Sequence, residues 1–200
     1  MKKNKGGSKL KNLKKKKASK WILRVSIMTF ILAILMSTLS ESVLRNVSLI
    51  PAIGVLLTII FLGVVFDTIG NAVVAAKEQP FHSMAAQKVP SAKYSVSLVR
   101  NAGPVSNFCN DVIGDIAGII SGAAIAIILT QIMALGLPFL NMATLSVVFS
   151  GTVAALTVGG KAIGKELALS KWKSIVKGVG TILYFLDSKL RIRILKDVKR

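Results

Sequence analysis

Cysteine and histidine are nearly missing from this 200-residue chain, where Cys109 and His82 stand alone. A single thiol forms no intrachain disulfide, and one thiol with one imidazole builds no zinc cluster. The sequence also lacks a phosphate-binding glycine loop ending in Lys-Ser or Lys-Thr, a Gly-x-Ser-x-Gly turn and an HExxH pair. Nucleophilic and zinc-dependent catalysis therefore have no visible parts, and the reading is of a protein that is not an enzyme. Acidic residues are scarce too, 8 against 27 Lys and Arg, for a formal net charge of +19. The largest absence is of charge in the middle: residues 25–160 hold 10 charged side chains, whereas residues 1–24 hold 11 and residues 161–200 hold 14. Soluble domains carry charge on about a quarter of their residues, spread along the chain. That contrast excludes an ordinary soluble enzyme domain. With 52% apolar residues overall, the middle is also too hydrophobic to be disordered.

Long apolar runs are what the sequence has. A helix crosses the hydrocarbon core of a bilayer with about 20 apolar residues. Residues 25–40 and 46–66 are uncharged, and residues 116–160 run for 45 positions without a charge. The last run divides at Gly136-Leu137-Pro138, a turn signal. The expectation is an all-α integral membrane protein whose domain, residues 21–160, has four transmembrane helices at about 21–44, 47–66, 112–135 and 139–160.

Basic residues collect near the cytoplasmic ends of spans. Residues 1–20 hold ten Lys and no acid, residues 161–200 hold eleven basic residues, and the segment 67–111 carries Lys77, Lys88, Lys93 and Arg100. The opposite connections are short, with only Arg45 basic. All the basic segments fall on one side if both termini are cytoplasmic, which places the chain as a multi-pass protein of the cell (inner) membrane. A second reading of the first span stands beside this one. Its Lys-rich start, apolar run and Thr38-Leu39-Ser40 also match a signal peptide with a small-x-small cleavage site. Cleavage would leave three spans and the same loops.

The cytoplasmic parts have distinct characters. Residues 1–20 read as a disordered Lys-rich tail that attracts anionic headgroups. No aromatic residue interleaves with the lysines, so nucleic acid is not an expected partner. In 161–200, Leu169, Trp172, Ile175 or Val176, Val179, Leu183, Leu186, Leu190 and Ile194 recur at helical steps, with Lys173, Lys177, Lys189, Arg193 and Lys196 around them. This pattern predicts a C-terminal basic amphipathic helix lying along the inner leaflet, with a break near Gly178 and Gly180. The juxtamembrane segment 67–111, punctuated by Pro80, Pro90 and Gly103-Pro104, predicts two or three short helices, for instance 69–79 and 92–102. Within the bilayer, Gly114, Gly118, Gly122 and Ala126 form one small-residue stripe and Gly151, Ala155 and Gly159 another. These stripes predict that the third and fourth spans pack on each other or on a second subunit.

Polar residues gather at the inner ends of the second and third spans. Asp67 ends one and Asp115 begins the next, Asn71 follows Asp67 by four positions, and Asp111, Thr68 and Asn110 are near in sequence. Carboxylates and amide oxygens are hard ligands of the kind Mg²⁺ accepts, so Asp67, Asn71 and Asp115 are candidate metal ligands. The alternative is that these acids sit in wet headgroups, paired with Lys161 or Lys165. Glu41 and Arg45 read as an i,i+4 pair at the outer interface.

The order of these parts resembles the transmembrane domain of the CNNM/CorB–CorC family of magnesium and cobalt transport or efflux proteins, over residues 47–178. The family's span ending in F-S-A-S-E-T-A corresponds to Phe66-Asp67-Thr68-Ile69-Gly70-Asn71-Ala72. Its L-I-G-N-N opening corresponds to Val112-Ile113-Gly114-Asp115-Ile116, and its G-E-x-x-P-K to Gly160-Lys161-Ala162-Ile163-Gly164-Lys165. The following run, GKELALSKWKSIV, resembles the family's short helix there. Gly70 stands for the motif Glu, Ile116 for the second Asn, Lys161 for the Glu and Gly164 for the Pro. The family's paired CBS modules have no counterpart in this sequence. The resemblance implies a homodimeric membrane domain that binds or moves Mg²⁺ or Co²⁺, with no resident cofactor. The competing expectation is a membrane scaffold or accessory subunit that transports nothing.

Overall fold

The structure is a computed structural model and describes residues 23, 26–44, 46–136 and 141–190, the last without its side chain. The Lys-rich tail, Trp21, Arg24, Arg45, Pro138 and residues 191–200 lie outside the described residues, so the readings that rest on them, including the Glu41–Arg45 pair, are not addressed by it. The described residues form helices and no strand. In chain order these are α1 (Ser26–Leu44), α2 (Leu49–Ala75), α3 (Gln79–Ala86), α4 (Ala92–Arg100) and α5 (Ala102–Ser106). A π-helical segment, Asn107–Gly114, leads into α6 (Asp115–Ala134), and α7 spans Met142–Leu190.

The punctuation marks act as local chemistry requires. Pro80 sits in the first turn of α3, where a missing N–H leaves no bond unmade. Gly136, at φ +68, takes the left-handed conformation that ends α6. Among the described residues, four helices are long and apolar enough to cross a membrane: Ser26–Leu44, Leu49–Ala75, the continuous run Ala102–Ala134, and Met142–Lys189. Their outer faces carry exposed Phe30, Ile34, Ile50, Phe61, Val147 and Val158, an apolar surface that water does not tolerate. Hydroxyls on these helices bond to their own backbone, as in Thr38 to Ile34 O (2.8 Å), Thr58 to Gly54 O (2.8 Å) and Ser121 to Ala117 O (2.7 Å). That self-satisfaction is what a lipid surround demands. These are the features of a membrane protein.

α2 is the hub. Ala52, Leu56 and Ile60 of α2 meet Leu44 of α1, Ala124 and Ile128 of α6 and Val153 of α7 in one apolar cluster. Leu32 and Ala33 lean α1 against Val112, Ile116 and Ile120. A third cluster lies beyond the apolar bundle. There Ala72 and Val73 of α2, Phe81 of α3, Val96 and Leu98 of α4, and Ala168 and Val176 of α7 are buried together.

Four expectations change in the structure. The middle of the C-terminal helix's apolar stripe is covered by protein: Trp172, Ile175, Val176, Val179 and Leu183 pack in the cluster with α3 and α4, with Phe81 edge-on to Trp172 at 6.1 Å, whereas Leu169 stays exposed. Covering that stripe with protein satisfies it as well as lipid would. Nor does the helix end at residue 160: α7 runs on to Leu190 as two helical segments joined at a kink, where helical geometry lapses at Lys171 (φ −117, ψ 23) and not at Gly178 or Gly180. Residues between 160 and 170 are mostly good helix formers, and nothing there stops the helix. Third, residues 69–75 remain in α2, which moves the first juxtamembrane helix to Gln79–Ala86. Finally, the predicted stripes do not mate within the chain: a Cβ at Gly118, Gly122, Gly151 or Gly159 would meet nothing within 4 Å. α2 takes the close contacts instead, with Gly63 against Ala117 (2.9 Å to its Cβ) and Gly160 against Val64 (2.9 Å to Cγ2).

Candidate functional site

Asp67, Gly70 and Asn71 share one face of α2, being three and four residues apart. Asn71 Nδ2 donates to Asp67 Oδ2 at 3.0 Å and to the Asp67 carbonyl oxygen at 2.8 Å. One carboxylate oxygen is therefore held from within α2. The other, Oδ1, faces Lys161 Nζ of α7 at 3.9 Å, with the Asp67 side chain 15% and the Lys161 side chain 31% exposed.

Glycines let three helices converge here. Gly164 of α7 lies directly against the Thr68 side chain, and Gly70 of α2 against the side chain of Asn110. A Cβ at either position would collide, so both helices approach only because none is present. Thr68 donates its hydroxyl to Val64 O at 2.7 Å. Asn110 belongs to the π-helical segment, a rare backbone form that recurs at functional sites. Its Nδ2 donates to Ser106 Oγ at 3.3 Å, while its Oδ1 is buried without a hydrogen-bond partner. A buried acceptor left unpaired costs about 1–3 kcal/mol, and such atoms mark strain or a missing ligand.

Two of the three candidate ligands named from sequence are thus in contact, Asp67 and Asn71. Asp115 heads α6 with an exposed side chain that shares no hydrogen bond or ion pair with Asp67, and Asp111 is exposed as well. Among the described residues no three His, Cys, Asp or Glu side chains are grouped to hold a metal ion. Any cation here would rely on one carboxylate, amide oxygens and retained water, which suits Mg²⁺ better than a softer metal. The sequence places Asn110 near the acids but carries no signal for its contact with Gly70.

Elsewhere the juxtamembrane helices are clasped together. Glu78 accepts from Arg100 Nε at 3.1 Å and lies 2.9 Å from His82 Nε2. These two partners hold the exposed Glu78 carboxyl below its ordinary 4.5. At the opposite end of the apolar bundle, Glu41, Ala123, Ala126, Ile127, Thr130 and Gln131 line an open cleft of about 550 Å³. Gln131 Nε2 donates to Val47 O at 3.0 Å, tying α6 to the α1–α2 connection. No known protein family, curated protein or solved structure matches the chain.

Proposed function

We propose that this chain is a four-span membrane domain, with both termini cytoplasmic, that takes a divalent cation, Mg²⁺ or Co²⁺, at Asp67. The observation that carries the reading is a largely buried carboxylate on α2, where the uncharged stretch 46–66 ends. It is fixed by Asn71, and nearly one helical turn on Gly70 packs against Asn110, whose carbonyl oxygen is buried and unpaired. Ionisable groups at such depth face a cavity, a partner or an ion. The likeness of motif order to the CNNM/CorC family adds support. The open small-residue faces of α6 and α7 suit a second copy of the chain. The basic ends suit anionic headgroups.

A second reading has its own observation. Lys161 already gives Asp67 a positive neighbour, as a structural ion pair in a non-transporting scaffold or accessory subunit would. Liposomes holding purified protein separate the two. The cation reading expects Mg²⁺ flux, or at least saturable Mg²⁺ binding, that Asp67→Ala abolishes and Asp115→Ala weakens. Neither flux nor binding in the wild type leaves the scaffold. An Asp67→Ala variant as active as wild type removes Asp67 from the site.

A further inference from the structure

Lys161 reaches Asp67 through a passage made by glycines. Gly160 and Gly164 bring α7 against Val64 and Thr68 of α2. Gly114 opens the opposite wall, where the Lys161 ammonium stands 3.6 Å from the position a Cβ would take. The side chain is therefore bounded by α2, the π-helical segment and α7, with about a third of it exposed (31%). Its contact with the carboxylate is loose. The 3.9 Å from Nζ to Oδ1 exceeds the ~2.7–2.9 Å of a charge-assisted hydrogen bond. Asn71 grips the second oxygen, so the carboxylate is not free to turn and tighten the pair.

A positive group thus rests on the oxygen that a bound cation needs, without being locked there. We propose that Lys161 is a tethered ammonium that competes with the divalent cation for Asp67, so that the ion binds only when the ammonium swings away. This inference rests on the cation reading of the same site and assigns its regulation. A divalent ion and an ammonium beside one partly desolvated carboxylate repel strongly, which makes their occupancies exclusive. The four-carbon stem of Lys lets the charge leave without moving the helix, and the exposed third of the side chain gives it a way out. Competition of this kind holds affinity down and ties ion release to the return of the ammonium.

The test is calorimetric titration of the detergent-solubilised full-length chain with MgCl₂, comparing wild type, Lys161→Met, Lys161→Arg and the double variant Lys161→Met/Asp67→Asn. Lys161→Met should bind Mg²⁺ at least about tenfold more tightly, within the range of couplings between linked sites. Lys161→Arg should not gain, and the double variant should lose the gain. Unchanged or weaker binding by Lys161→Met overturns the proposal, as does a gain that survives Asp67→Asn. A measurement on wild type guards against a misfolded variant: amine acetylation of Lys161, read by mass spectrometry, should rise as Mg²⁺ saturates the protein. Labelling that Mg²⁺ leaves unchanged also overturns it. The failures are separable. Tighter binding by Lys161→Met with no flux from either protein keeps the competition and removes transport, whereas wild-type flux with unchanged affinity in Lys161→Met does the reverse.

Discussion

The Tyr94 hydroxyl donates a 2.5 Å hydrogen bond to Asp187 Oδ2, joining α4 to the far part of α7 across 93 residues of chain. Asp187 is 7% exposed and its Oδ1 is buried with no partner, so Tyr94 supplies the bond that makes this burial tolerable. Tyr94→Phe should destabilise the protein by about 1–3 kcal/mol, the cost of an orphaned buried acceptor. Adding Asp187→Leu should recover most of that loss, because removing both partners leaves nothing unpaired. Chemical unfolding of the purified protein in detergent checks both, and a double variant no better than Tyr94→Phe rejects the account.

Glycines on two faces of the bundle should respond in opposite ways. Gly160→Leu forces a side chain into Val64 and should cost about 1–3 kcal/mol or more. Gly118→Leu projects into space that is open within one copy of the chain, so in detergent that keeps the chain monomeric it should stay within about 0.5 kcal/mol of wild type. Melting temperatures in detergent read the contrast. Equal losses at both positions contradict the hub role of α2.

The Glu78 clasp carries a pH signature. Its carboxyl is held below the ordinary 4.5 by hydrogen bonds from His82 and Arg100. A depressed folded value means the contribution is full above 4.5 and lost as pH falls through the lower value. The melting-temperature gap between wild type and Glu78→Gln should therefore be steady near neutral pH and close in acid. Because its side chains are 38–61% exposed, the clasp should also weaken with salt. A gap that widens on acidification reverses the expected sign.

Topology is open to direct measurement. Reporters fused to the two ends of the chain should both appear on the cytoplasmic face, and alkaline carbonate should leave the protein in the membrane. Opposite faces for the two ends, or release by carbonate, rejects the four-span arrangement.

The apolar helices were legible because length and charge exclusion are local properties, and Gly136 announced its turn by residue type alone. The packing was not. Gly151, Ala155 and Gly159 made a plausible stripe, yet Gly160 and Gly164 make the contacts. One position along a helix is a rotation of about 100°, and spacing alone does not say which face meets a neighbour. The π-helical turn at Asn107–Gly114 has no composition signature, so the juxtaposition of Asn110 and Gly70 was invisible. Lys161 stood in the sequence reading as one of two partners for the acids, and only the approach of α7 to α2 selects it over Lys165. The amphipathic period of the C-terminal helix was clear, but a period does not tell protein from lipid as the thing that covers it.

Val153 holds the first part of α7 in the apolar bundle, and the α3–α4 module holds Ala168 before Lys171 and Val176 after it. The two segments meet at the kink at Lys171. Ala168 therefore anchors the segment that carries Lys161 in the α3–α4 module directly, with no joint between them.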